Sequence, residues 1–297
     1  MDKNQNQTDN KRDYISISPS AKALLLIKGL TDIPFARDTA ELISFPEKYA
    51  PDYKNKDIAF WKRVVHFEQR YWSVDKALSF LPANNILEIS SGFSFRGLDK
   101  ARHSKVNYTD TDLPNIINQK KILLADLTAG LPACQGRLET LALNALDEDQ
   151  FLEVVQRFPK GPLIILNEGL LMYLDVTEKE KLCNIIYRAL KQRGGYWVTG
   201  DVYIKYRLDR LQADEDDNYK KFIEAHHIYE NMFESFDLAE QFFNTAGFEV
   251  ESESEVELSK ISSLKYMLAN ASVPNLLELN PADKMRTTWC LKIKSDQ

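Results

Sequence analysis

Cysteine is scarce in this sequence. The three present, Cys134, Cys183 and Cys290, lie far apart, with no CxxC pair and no histidine cluster beside them. That spacing supports neither a disulfide framework nor a zinc site, and buried reduced thiols are the expectation. Long apolar runs are missing too, and none approaches the ~18 residues of a membrane span. The opening stretch MDKNQNQTDNKRD has no apolar core and does not read as a secretory signal. Positive charge is in deficit: a formal net charge of -6 offers no general attraction to phosphate backbones. No internal repeat is visible, and the GxGxxG fingerprint of dinucleotide enzymes is absent. These absences point to a cytoplasmic protein without a metal site and without a membrane or nucleic-acid partner. They leave its oligomeric state open.

What is present is an ordinary globular composition, 44% hydrophobic and 28% charged over 297 residues, enough to bury a sizeable core. Residues 1–13 have the composition of a disordered tail. Ser18-Pro19 reads as a helix start, serine as N-cap and proline at the first helical position. Helices are expected over Ala21–Leu30, Phe35–Ile43 and Ile58–Leu81, so that residues 14–81 form an N-terminal helical cap. After Pro82 the pattern changes to alternating strands and helices, and residues 82–297 read as the second unit. Strands are expected at Ile86–Ile89, Lys105–Thr109, Leu138–Leu143, Leu163–Leu166 and Tyr196–Thr199. The intervening helices are Pro114–Leu124, Glu148–Phe158 and Thr177–Gln192, the last with a threonine N-cap and stopped by Gly194-Gly195. The uninterrupted apolar run Leu163–Leu166 suits a central parallel strand covered on both faces. Leu238–Ala246 reads as a helix. Phe248–Val256 and Thr288–Ile293 read as an antiparallel final pair with no helix clearly placed between them. A charged, aromatic, helical stretch at about 203–236 reads as an insertion over the mouth of the sheet. The expected fold is α/β: a doubly wound, mostly parallel seven-stranded sheet with an antiparallel last strand.

In such sheets ligands bind at the carboxyl ends of the strands, where strand order reverses. The loops there carry the candidate residues. Glu88-Ile-Ser-Ser-Gly-Phe-Ser-Phe-Arg96 places Ser90 and Gly92 where a ligand can approach the backbone. Tyr108-Thr-Asp-Thr-Asp112 places Asp110 and Asp112, both able to accept from ribose hydroxyls, about 20 positions on. Asp112 alternatively caps the helix before Pro114. Asn144 and Ala145 end the next strand, where an adenine edge can be bonded, although Asn is also a common turn residue. Glu168, in Asn167-Glu-Gly-Leu-Leu-Met-Tyr173-Leu, sets an acid at the mouth of the central strand. It could attract an amine or a sulfonium, while Leu170, Leu171 and Leu174 read as core. A nucleoside-containing ligand follows from these loops, with NAD and S-adenosylmethionine both open.

Taken in order, ILEISSGFSFR, YTDTDLPNIINQKKILL and LNEGLLMYLDVTEKEKL resemble the leucine carboxyl methyltransferase family of S-adenosylmethionine-dependent O-methyltransferases. The resemblance spans Asn85 to about Leu182, with weaker echoes at Asp32–Ala36 and Arg70–Asp75. It implies S-adenosyl-L-methionine as cofactor. Glu88, Ser90 and Gly92 would form the cofactor loop, and Arg70 would bind the methionine carboxylate. Asp110 would hold the ribose, Asn144 and Ala145 the adenine, and Glu168 would face the methionine part. Ser90 stands in place of a family glycine, which is acceptable if its φ is negative, and Ser94 in place of an acid. The acceptor would be a carboxylate or a hydroxyl, on a small molecule or on a protein. A carboxylate needs no base. For a hydroxyl the candidates are Tyr173 and Tyr203, then His226 and His227. Lys205, Arg207 and Arg210 could steer an anionic acceptor, and Trp61, Trp72, Tyr203 and Phe233 suggest an aromatic pocket beneath the cap. The competing readings are a non-catalytic S-adenosylmethionine-binding protein and an NAD-dependent Rossmann oxidoreductase.

Overall fold

The computed structural model describes residues 18–43, 53–205, 217–272 and 284–295. The tail at 1–13, Arg207 and Arg210 lie outside these. Three helices come first: α1 (Ser18–Lys28), α2 (Ala36–Leu42) and α3 (Ile58–Ser79). The Asp57 side chain starts α3 by accepting from the Phe60 N–H, which satisfies one of the helix's free donors. The sheet is built from β1 (Asn85–Ile89), β2 (Asn107–Asp112), β3 (Arg137–Ala142), β4 (Leu163–Asn167), β5 (Gly195–Tyr203), β6 (Phe248–Ser254) and β7 (Arg286–Ile293). The connecting helices are α4 (Arg96–His103), α5 (Pro114–Thr128), α6 (Glu148–Gln156), α7 (Val176–Arg193), α8 (Asp217–Ala225), α9 (Phe236–Thr245) and α10 (Leu264–Ala269).

The strand order is β3-β2-β1-β4-β5-β7-β6. Strands β1 to β5 pair in parallel, whereas β7 runs antiparallel to both β5 and β6. This is the doubly wound, mostly parallel arrangement expected from the strand pattern, and its order reverses between β1 and β4. Every residue of β1 and β4 is buried, as a strand covered on both faces requires. On one face Val74, Ala77 and Leu78 of α3 pack against Ile86, Tyr108, Ile164, Leu166, Val198 and Cys290. On the other, Phe151, Val154, Leu182, Cys183, Ile186 and Phe243 cover Leu87, Ile89, Ile165 and Leu291. Trp197 is the centrepiece of that layer, edge-on to the rings of Phe243 and Phe248 at 5.3 Å each. Leu170, Leu171 and Leu174 join the same layer, as expected.

Strand β5 runs past Thr199 to Tyr203, and three further local expectations change. Strand β2 does not end at Thr109 but runs to Asp112, so both aspartates lie in the strand. Aspartate has low strand propensity, but the ladder to β3 pairs Asp110 with Thr140 and Asp112 with Ala142 and overrides it. Helix α7 is capped by Asp175, not by threonine: Asp175 and Glu178 form a reciprocal capping box. Between β6 and β7 the chain forms a 3-10 turn at Leu258–Lys260 and then α10. Glu68 of α3 fixes that segment, taking the backbone N–H and hydroxyl of both Ser262 and Ser263. No helix among the described residues is long and apolar enough to cross a membrane.

Candidate active site

The turn leaving β1 is strained. Ser90 has φ 52 and Gly92 has φ 50, so the left-handed region is occupied twice within three residues. The condition under which serine fits this position without strain, a negative φ, is therefore not met. Neighbouring bonds hold the turn in place: the Ser91 N–H reaches Thr111 O at 2.9 Å and the Ser94 N–H reaches Ser91 O at 2.9 Å. The Gly92 N–H donates to Asp112 Oδ2 at 2.7 Å. Lys120, brought in by α5, donates to Ser91 Oγ at 2.9 Å. The loop after β1 is thus tied to the tip of β2 and to the helix that follows it.

The two aspartates of β2 separate in role. Asp110 is fully buried and pairs with Lys120 at 3.0 Å, beneath the loop and away from solvent. Asp112 is half-buried at the strand tip, where its two oxygens take the N–H groups of Gly92 and Leu113 at 2.7 Å each. It does not cap α5, whose N-cap position is Leu113. Glu88 lies under the same loop, accepting from the Tyr108 hydroxyl at 2.5 Å with Arg96 4.0 Å away. Ser94 lies at the amino end of α4, where its hydroxyl accepts from the Arg96 N–H at 3.4 Å. Beyond β3, Asn144 is exposed and its Oδ1 accepts from the Leu146 N–H at 3.0 Å, an Asx turn, while Ala145 is buried.

Across the strand reversal, Glu168 gathers three cations from three helices. Lys28 of α1 reaches Oε1 at 2.5 Å, Arg70 of α3 reaches Oε1 at 3.2 Å, and Arg96 of α4 reaches Oε2 at 2.5 Å. The Glu168 side chain is only 3% exposed. Burial alone would raise its pKa, but the charges of Lys28, Arg70 and Arg96 outweigh it and hold the carboxyl well below the usual range. Arg96 also stacks over Tyr71 at 4.0 Å, so the first residue of α4 bridges the β1 loop to the β4 loop. Lys28 and Arg96 were not singled out by spacing. The available signal for Lys28 was a cation in the last turn of an apolar helix.

Arg70 makes a second contact, donating from Nη1 to the Tyr203 hydroxyl at 3.2 Å. His66 Nε2 lies 2.8 Å from the same hydroxyl. Because Arg70 can only donate, the phenolic proton points to His66, which must be neutral to accept it. Burial pushes the His66 pKa down to about 3, with Arg286 and Arg70 adding to the effect, and burial raises that of Tyr203. Tyr203 is therefore a proton donor at neutral pH and not a ready base. Tyr173 is half-buried, 3.4 Å from Ser20 Oγ, with its ring against Phe222 and His226, and burial raises its pKa also. His227 is exposed, and Lys205 pairs with Glu234 at 2.5 Å.

The four aromatic residues expected to line one pocket divide between two places: Trp61 and Trp72 share one apolar cluster, and Phe233 packs on another beside Tyr203. Trp61 stacks on Tyr266 at 4.7 Å, Trp72 meets Tyr71, Phe233 meets Phe242, and Tyr203 meets His66. The structure brings Arg70, Glu168 and Tyr203 into one cluster, and ties Gly92 to Asp112 across the adjacent loop.

No described protein family matches the sequence, and no curated protein matches it. Among solved structures the chain is similar to LepI in complex with SAM, with TM-score 0.46 and 10% identity over 74% of this chain and 46% of that one. The chain thus spans less than half the length of LepI. It is also similar to magnesium protoporphyrin IX methyltransferase (ChlM) from Synechocystis PCC 6803 with bound SAH, with TM-score 0.47 and 9% identity over 88% of this chain and 96% of that one. A third is the plantazolicin methyltransferase BamL in complex with a triazolic desmethylPZN analog and SAH, with TM-score 0.47 and 13% identity over 95% and 99%.

Proposed function

We propose that this chain is an S-adenosyl-L-methionine-dependent methyltransferase acting on an oxygen acceptor. The observation that carries the reading is the Glu168 cluster at the carboxyl end of β4, facing the Ser90–Gly92 turn across the strand reversal. A carboxylate flanked by Lys28 and Arg70 suits a zwitterionic amino-acid group: the acid for an ammonium, the cations for a carboxylate. A dinucleotide pyrophosphate suits it less. The Gly92 N–H, which a phosphate would need, is already taken by the Asp112 carboxylate, and that carboxylate would repel a phosphate.

On this reading Arg70, Lys28 and Glu168 hold the methionine end. Asp112, rather than Asp110, takes the ribose: each of its oxygens keeps a free lone pair at the half-buried tip of β2, whereas Asp110 is fully buried beside Lys120. Asn144 and Ala145 stand at the adenine end, and Glu88 supports the turn from below. Bound there, the cofactor supplies an electrophilic methyl group on a sulfonium. The residues of the chain align that group and exclude water. Tyr203 and His66, held neutral, favour an acceptor that arrives ionised, a carboxylate of a small molecule or of a protein, over an alcohol that must lose a proton. The motif resemblance to the leucine carboxyl methyltransferases supports the same choice.

Isothermal titration with S-adenosylmethionine, S-adenosylhomocysteine and NAD tests the reading. Binding of both sulfur nucleosides without NAD is expected, and binding of NAD alone would reverse the assignment. Transfer of a labelled methyl group to metabolite or protein fractions then separates an enzyme from a binding protein and identifies the acceptor.

A further inference from the structure

Asp201, on β5, is 2% exposed and its carboxylate is saturated with donors. Its Oδ1 accepts from the Gly169 N–H at 2.6 Å, and its Oδ2 from the N–H groups of Leu170 and Leu171 at 2.6 and 3.2 Å. The Asn167 amide adds a fourth bond, to Oδ2 at 2.7 Å. Asn167 is fixed in turn, donating to Thr199 Oγ1 at 3.0 Å and accepting from Trp197 Nε1 at 2.7 Å. The three consecutive N–H groups after Glu168 therefore all end on one buried carboxylate. We propose that Asp201 is the positioning residue that holds the turn after β4, and with it Glu168, in register with Lys28, Arg70 and Arg96. The proposal rests on the methyltransferase reading, in which Glu168 receives the amino-acid end of the cofactor.

Little else defines that turn. Gly169 sits at φ 89, and the segment then makes a single 3-10 turn at Leu171–Tyr173, which is weak local structure. A Cβ on Gly169 would lie 3.2 Å from Arg70 Nη2, so the turn's backbone rests against the guanidinium itself. A shift of the turn moves the acid and the face that Arg70 presents together. The groups assigned to the nucleoside, Asp112 and Asn144, lie at the ends of β2 and β3, on the far side of β1. The effect of Asp201 should therefore be confined to the amino-acid end of a ligand.

The test compares S-adenosylhomocysteine with 5′-methylthioadenosine, which lacks that end, by calorimetric titration of the full chain. Asp201→Asn keeps the shape but replaces one acceptor oxygen with a donor. It should weaken S-adenosylhomocysteine binding about 10-fold or more, the size of one lost buried hydrogen bond to a charged group, and leave 5′-methylthioadenosine within about twofold. Trp197→Phe is the second variant: it keeps a ring against Phe243 and Phe248 and removes the bond to Asn167, and the cavity it leaves lowers stability without distinguishing the two ligands. About two- to fivefold selective weakening is expected there. In a Glu168→Gln background, Asp201→Asn should cost little more. Equal losses on both ligands, an unchanged affinity for S-adenosylhomocysteine, or additive losses in the double variant would each overturn the positioning role. If the wild-type chain binds neither ligand, the methyltransferase reading itself fails, and that is seen before any variant is made.

Discussion

Replacing Ser90 with glycine should stabilise the protein. At φ 52 the Cβ of serine crowds the following carbonyl, at a cost of about 1–2 kcal/mol that glycine does not carry. Against this, glycine has more backbone freedom to lose on folding, about 0.5–1 kcal/mol. No hydrogen bond of the Ser90 hydroxyl among the described residues is sacrificed. The net expectation is a gain of about 0.5–1 kcal/mol, or roughly 1–3 °C in melting temperature for a chain of this size. Urea unfolding is the direct assay: the midpoint should rise with the slope unchanged, because the same surface is exposed. Gly92→Ala is the matched control. The nearest neighbour of an added Cβ there is Ala21 Cβ at 3.6 Å, ordinary contact, so only the backbone at φ 50 is penalised. It should lose about 1 kcal/mol or more. A midpoint for Ser90→Gly at or below wild type would refute the strain account. A weakened affinity for S-adenosylhomocysteine in Ser90→Gly would instead mean that the hydroxyl touches the ligand.

Asp112→Ala should weaken S-adenosylhomocysteine binding by about 1.5–3 kcal/mol by calorimetry, and an unchanged affinity would remove it from the site. Asp110→Ala should act on folding, costing about 3–5 kcal/mol in denaturant, because Lys120 is left buried and unpaired; a loss below about 1 kcal/mol contradicts that. For His66 the folded-state pKa near 3 lies below the 6.5 of the free imidazole, so the unfolded chain takes the proton first. Its contribution is whole above pH 6.5 and is lost as the pH falls toward 3. Between pH 7 and 5 the wild type should lose about 1–2 kcal/mol more than His66→Gln, and parallel pH–stability curves would show the imidazole to be solvated. Under native conditions a thiol reagent should label half-buried Cys134, with Cys183 and Cys290 reacting only on unfolding. Rapid native labelling of all three would contradict their burial.

Much of the fold was legible in local pattern. The apolar runs of β1 and β4, the glycines ending α7 and the change of rhythm at Pro82 each report a physical requirement that acts within a few residues. The end of β2 was not, because Thr-Asp-Thr-Asp has turn-like propensity and becomes strand only through its neighbours. The helix between β6 and β7 was missed for a related reason: its anchor, Glu68, lies 194 residues earlier in the chain. The functional loops were found at the strand ends, yet the roles of their residues divided only in three dimensions. Asp110 and Asp112 share a face and differ by one step of the strand, and that step separates a buried pairing partner of Lys120 from an accessible tip.

The sequence by itself determined the alternation of strands and helices, the place of the candidate loops and the acid at the mouth of β4, since each depends on residue type and spacing over short range. Tertiary structure alone decided that Ser90 is left-handed and that Lys28, Arg70 and Arg96 converge on Glu168. It also decided that Asp201 holds the turn on which Glu168 stands. The last two are contacts between groups 30 to 140 residues apart, in which opposite charges or N–H donors offset the cost of taking a charge out of water. No local pattern encodes that, because the partners meet only when the sheet and its covering helices have closed around them.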